Sequence, residues 1–183
     1  AWGKLLFEAP KTLDLSSITN DIDGLRRIKQ FQKLNCKMQK TCSLGAGKVD
    51  SPVVILEGHQ SGLTQDSRVM LGKMIDNVLQ IPRSKIYWLP FPVNGQCDVC
   101  KNLFFASLDC ISPKVALIMG KDLKGNIKMQ HRESPSQGIK MGEIINLQSN
   151  RYKIPAVWTY HPTYLLTDES KKKDSFQHLS TFV

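Results

Sequence analysis

Val53-Val54-Ile55-Leu56 is a short unbroken apolar run, rich in β-branched residues and closed by Gly58. Such a run reads as a strand buried on both faces, because a half-exposed strand would alternate apolar with polar residues. Outward from it the pattern repeats. Asp66 or Ser67 is placed to cap a helix whose Leu71, Met74, Ile75, Val78 and Leu79 share one face, and Pro82 ends that region. Ile86 to Leu89 is a second strand, closed by Pro90 and Pro92. Val99, Leu103, Ala106 and Cys110 recur at helical spacing. Val115-Ala116-Leu117-Ile118-Met119 is a third buried strand, stopped by Gly120. Pro155 to Thr159 is the fourth, and a loop beginning His161-Pro162 leads into a short C-terminal helix. Upstream, Leu25, Ile28, Phe31 and Leu34 mark a helix over Ser16 to Asn35, and residues 36–51 read as a loop. Residues 1–17 read as an arm, with apolar Trp2, Leu5, Leu6 and Phe7 and a stop at Pro10.

Strands alternating with amphipathic helices imply an α/β fold. The expected architecture is a three-layer α/β/α sandwich around a four-stranded parallel sheet, a single domain over residues 18–183 behind the arm. Ligand sites in such sheets lie beyond the carboxyl ends of the strands, here residues 57–62, 89–97, 119–125 and 159–164.

The chain has 183 residues, 25 Lys+Arg and 16 Asp+Glu, a formal charge of +9. That balance suits a partner carrying phosphates, so nucleic acid is the expected partner. Lys121, Lys124, Lys128 and the run Lys171 to Lys173 are its clusters, the last also readable as a solvated helix face. Hydrophobic residues make up 41 % and charged residues 22 %, which excludes a disordered chain. No apolar run reaches the roughly 18 residues a membrane span needs, so no membrane partner is expected. Ala1 to Pro10 carries Glu8 and no long apolar stretch, unlike a secretory signal. Five scattered cysteines fit a reducing, intracellular compartment better than a disulfide framework.

Two segments could carry chemistry. Gly58-His59-Gln60-Ser61-Gly62 follows the first strand, and its glycines let backbone approach a phosphate or base; a tight turn is the plainer reading. Tyr160-His161-Pro162-Thr163-Tyr164-Leu165-Leu166 follows the last strand. Its His could meet a developing oxyanion or a phosphate, or be a satisfied structural residue. Cys97 and Cys100 make half a metal site at most, which Cys36 and Cys42 could complete.

On these residues the chain resembles the uracil-DNA glycosylase superfamily, nearest its iron–sulfur members. Thr159 to Leu166 is similar to that family's Tyr-His-Pro-Ser/Ala-x-Leu-Leu motif. Pro113 to Gly120 resembles its third-strand motif, Ile139-Lys140-Met141-Gly142 sits where it has a basic Arg-Gly turn, and Gly58 to Gly62 where it has Gly-Glu-Ala-Pro-Gly. A fainter likeness to the psi subunit of bacterial DNA polymerase III rests on Leu63-Thr64 and Ile86 to Pro90. The first resemblance spans residues 50–183 and implies catalytic roles for His161 and His59, and base or nucleic-acid contacts from Gly58, Gln60, Ser61, Gly62, Asn94, Pro162 and Thr163. It also implies an iron–sulfur cluster on Cys36, Cys42, Cys97 and Cys100.

Several positions depart from the pattern. His59 stands where the family has its water-positioning acid, and Ser61 where the loop has Pro. The stacking Phe has no counterpart between Gly62 and Arg68. Leu89-Pro90-Phe91 lies where an Asn would read uracil, unless Asn94 replaces it. The cysteine spacings, C-x5-C and C-x2-C, are not the family's, so the sulfurs are expected to stay apart as buried small hydrophobes, with no cofactor. The expected function is a glycosylase-fold protein of DNA repair or replication, catalytically degenerate and acting as a binding or scaffold subunit. An active glycosylase of altered specificity and a structural subunit of a ribonucleoprotein are the alternatives.

Overall fold

A computed structural model of the chain describes residues 13–18, 21–36, 42–58, 63–92, 97–123, 126–131 and 138–182. The central run is a strand as expected: β1 spans Val53–Glu57. Val54, Ile55 and Leu56 are each 0 % exposed, and burying each such side chain contributes about 1.5–3 kcal/mol. Val53 and Ile55 face one apolar core, Val54 and Leu56 the other. The remaining parallel strands are β2, Ile86–Pro90, and β3, Val115–Met119, and the sequence-read fourth strand is longer than expected. It begins at Lys153.

Among the described residues the sheet has six strands, not four, and it is mixed. Besides β1 to β3 it holds β4, Met129–His131, β5, Ile144–Gln148, and β6, Lys153–Thr159, in the order β2-β1-β3-β6-β5-β4. The first four strands in that order are parallel, while β5 and β4 run antiparallel beside β6. The expected four-stranded parallel sheet is therefore the parallel part of a larger one. In β5 only Ile145 and Leu147 are buried, the one-sided pattern of an antiparallel margin.

Helices cover both faces. One core gathers α1, Ile22–Asn35, and α3, Asp98–Ile111, against Val54, Leu56, Tyr87, Ile118 and Trp158. The other lies under α2, Gln65–Lys73, α4, Pro162–Thr167, and α5, Lys171–Phe182. The expected helix over Ser16 to Asn35 divides. Leu15–Ser17 is one 3-10 turn, and α1 begins only after Asp21, whose carboxylate accepts the Gly24 N–H at 2.8 Å. Thr64, rather than Asp66 or Ser67, caps α2, accepting the Ser67 N–H at 3.3 Å. α2 then widens into a π turn, Met74–Leu79, closed by left-handed Gln80.

The residues expected to form the arm are described only from Leu13 onward. Leu13 and Leu15 pack against the α1–α3 core, and the Arg151 guanidinium donates to the Ile18 carbonyl at 3.0 Å. At the free margin of β2, Ala46 exchanges two backbone hydrogen bonds with Trp88, at 2.9 and 2.8 Å. Among the described residues no helix is long and apolar enough to cross a membrane.

Candidate functional site

The carboxyl ends of β1, β3 and β6 converge. Gly58 donates its N–H to the Met119 carbonyl at 3.1 Å, and Gly120 to the Thr159 carbonyl at 3.1 Å. Gly120 sits at φ +108°, and a Cβ there would run into the Gly58 carbonyl; one on Gly58 would run into Leu123. The backbone approach that Gly58 permits is, in the described residues, approach to the protein itself. His59, Gln60, Ser61, Gly62 and Asn94 lie outside the described residues.

His161 is the N-cap of α4, with Pro162 at the first helical position, where its missing N–H costs nothing. The His161 Nδ1 accepts the Thr163 backbone N–H at 3.1 Å. That fixes the tautomer. Nδ1 presents its lone pair, the ring proton sits on Nε2, and Nε2 lies 2.9 Å from Glu57 Oε1. Both partners are inside the protein, His161 2 % exposed and Glu57 5 %. The pair ties the last βα turn to the end of β1. Thr163 Oγ1 is buried with no hydrogen-bond partner among the described residues. Glu57 was not among the residues singled out from sequence; a lone acid ending an apolar strand is the signal that marks it.

A second cluster lies where α1 ends and α3 begins. The sulfurs of Cys36, Cys42, Cys97 and Cys100 all lie within 4.8 Å of one another, all but Cys42 buried. Cys36 Sγ is 3.3 Å from Cys100 Sγ and 3.7 Å from Cys97 Sγ. The expectation that the two cysteine pairs stay apart is thus overturned, because the α1–α3 contact joins the termini that carry them. The Gln32 side-chain amide donates to Cys100 Sγ at 3.5 Å. Burial pushes the Cys42 thiol up to about 11. Cys100 rises further by the same cause, which the Gln32 hydrogen bond opposes. A cation in their midst would reverse this, since thiolate is the form that binds metal. Cys110, the fifth cysteine, is buried elsewhere.

The third feature is aromatic. Tyr160 stacks with Tyr164, centroids 5.5 Å apart and planes 23° from parallel, and with His178 at 5.7 Å and 25°. Beside them opens a cavity of about 490 Å³ lined by Lys121, Ile139, Lys140, Met141 and Trp158. Burial holds the His178 ring below the ordinary histidine range, an effect the Asp174 carboxylate opposes. At the amino ends of the strands a larger cavity, about 1030 Å³, has mixed charge, with Arg26, Lys29 and Lys48 against Asp21 and Asp50. The chain matches no protein-family model and no curated protein.

Proposed function

We propose that this chain is a nucleic-acid-binding protein of DNA repair or replication, with the fold layout of the uracil-DNA glycosylase superfamily but without efficient base excision. The observation that carries the reading is the state of His161. Its Nδ1 caps a helix, its Nε2 is held by Glu57, and its ring is buried. A histidine that is to stabilise a leaving anion must present an N–H to that anion; this one presents its N–H to a carboxylate of its own chain. The +9 charge supports a polyanionic partner.

The four cysteines have a structural part in this reading. Their donor set suits a thiolate-bound metal, and their closeness suits one tetrahedral ion such as zinc. Metal–sulfur bonds of about 2.3 Å place thiolates about 3.8 Å apart. An iron–sulfur cluster, which the family resemblance implies, must enclose several irons and needs a wider set of sulfurs. Such an ion would cross-link the end of α1 to the start of α3.

The test is a gel assay on a uracil-containing oligonucleotide alongside a binding titration. Binding that weakens steeply with salt, with cleavage no greater than that of the His161→Ala variant, is expected. Robust cleavage that depends on His161 overturns the reading in favour of an active glycosylase.

A further inference from the structure

The stacked rings of Tyr160, Tyr164 and His178 come from three places in the chain, the end of β6, α4 and α5. All three are half-buried and present part of their surface to solvent. The polar edges of Tyr164 and His178 are fixed. The Tyr164 hydroxyl donates to Asp168 Oδ2 at 3.1 Å, and His178 Nδ1 lies 3.2 Å from Thr159 Oγ1. His178 also rests against the backbone of Gly142, at φ +88°, where a Cβ would strike the ring. The aromatic stack is therefore preorganised before any ligand arrives.

Charge is distributed to match. Lys171 and Lys172 are engaged by Asp174 and Glu169. Lys121 and Lys140 are exposed, line the cavity, and make no ion pair among the described residues. Lys121 Nζ stands 5.1 Å from the centroid of the Tyr164 ring, and Glu143, the acid nearest Lys140 in sequence, accepts the Lys140 backbone N–H at 3.0 Å. Two cations thus rim a cavity with aromatic rings in its wall and Ile139 and Met141 beside them.

We propose that this cavity binds single-stranded nucleic acid, one unpaired base extending the Tyr160–His178 stack and the flanking phosphates meeting Lys121 and Lys140. A duplex hides the faces of its bases, whereas a single strand offers them, and stacking on aromatics is the usual means of holding one. The inference deepens the nucleic-acid reading above and rests on it.

Fluorescence anisotropy with a labelled single strand, and with the same sequence as duplex, tests it. Tyr160→Leu should weaken single-strand binding by roughly 5- to 150-fold, the range for one lost base stack, and leave duplex binding unchanged. Tyr160→Phe, which keeps the ring, should bind as the wild type does. Lys121→Ala and Lys140→Ala should each lower the salt slope on single strand by about 0.7. Thermal unfolding of each variant separates lost binding from lost fold. If the wild type binds and these folded variants bind equally well, the site is overturned while the nucleic-acid reading stands. If Tyr160→Leu weakens duplex and single strand alike, single-strand recognition is overturned. If the wild type binds no strand at low salt, both the site and the reading fall; tight binding of an acidic peptide instead would give the face a different occupant and likewise overturn the inference.

Discussion

The Glu57–His161 pair and the four-cysteine cluster both lie inside the protein, Cys42 alone being partly exposed; both are assembled from distant parts of the chain, and they are opposite in their chemical completeness. Glu57 and His161 satisfy each other, and the helix N-terminus satisfies the remaining ring nitrogen. The cysteines do not satisfy each other in that way. Their thiols are weak donors and acceptors, and four crowded within 4.8 Å gain little by it unless a cation converts them to thiolates. The residue whose motif announces chemistry is thus occupied by structure, while four cysteines whose spacing gives half a metal site at most lie within metal-binding distance of one another. Motif identity and chemical availability are separate properties.

The sharpest way to break this contrast is at the cysteines. Cys100→Ser should lower stability by about 4 kcal/mol, the scale of a lost metal site, which for a chain of this size is roughly 10 °C in Tm. Metal analysis of the wild type should return about one zinc per chain in colourless protein. Iron with broad visible absorption, lost in Cys100→Ser, would replace the single ion by a cluster; a metal-free protein whose Tm ignores Cys100→Ser would make these thiols ordinary packing. A smaller effect is expected at the histidine. His161→Ala leaves Glu57 buried without its partner and should cost about 3 kcal/mol, while Glu57→Leu combined with His161→Leu should cost less than His161→Ala alone. A double variant as unstable as the sum of its single changes would show that the pair is not a closed unit.

The smallest effect concerns His178. Its folded pKa is lowered, so the unfolded chain takes up its proton first as pH falls. Its contribution is complete above the ordinary histidine value of 6.5 and declines as pH drops below it toward the lower folded value. His178→Gln should flatten the stability profile in that window, read by thermal unfolding at a series of pH values. An unchanged profile would remove His178 as its source.

How much of this was legible in the sequence follows from how each feature is encoded. The parallel strands announce themselves because a strand buried on both faces must be apolar throughout, as Val53 to Leu56 and Val115 to Met119 are. β5 hides because burial on one side leaves Asn146 and Gln148 polar, and β4 because three residues carry no period. His161 was visible as a motif, but its tautomer was not, since that depends on Thr163 N–H and Glu57 in three dimensions. The cysteine cluster is not legible in the sequence because spacing along the chain is not spacing in space. Cys36 and Cys97 stand 61 positions apart, and only the packing of α1 on α3 brings their sulfurs to 3.7 Å. Of the aromatic stack, Tyr160 and Tyr164 stand four residues apart in the His-Pro segment, but His178 comes from another element and leaves no trace beside them in the sequence.

The bridge between Ala46 and Trp88 acts as a stopper on the sheet. By engaging both backbone groups of Trp88 it withholds from β2 the template that another chain's strand would zip onto. The fit is close: a side chain on Gly45 would collide with the Trp88 carbonyl, and one on Gly47 with the backbone of Tyr87. At the opposite margin β4 offers only three residues, too few to hold a foreign strand for long. Among the described residues the sheet is thus bounded by a bridged strand on one side and a three-residue strand on the other, which leaves little open edge for another chain's strand to pair with.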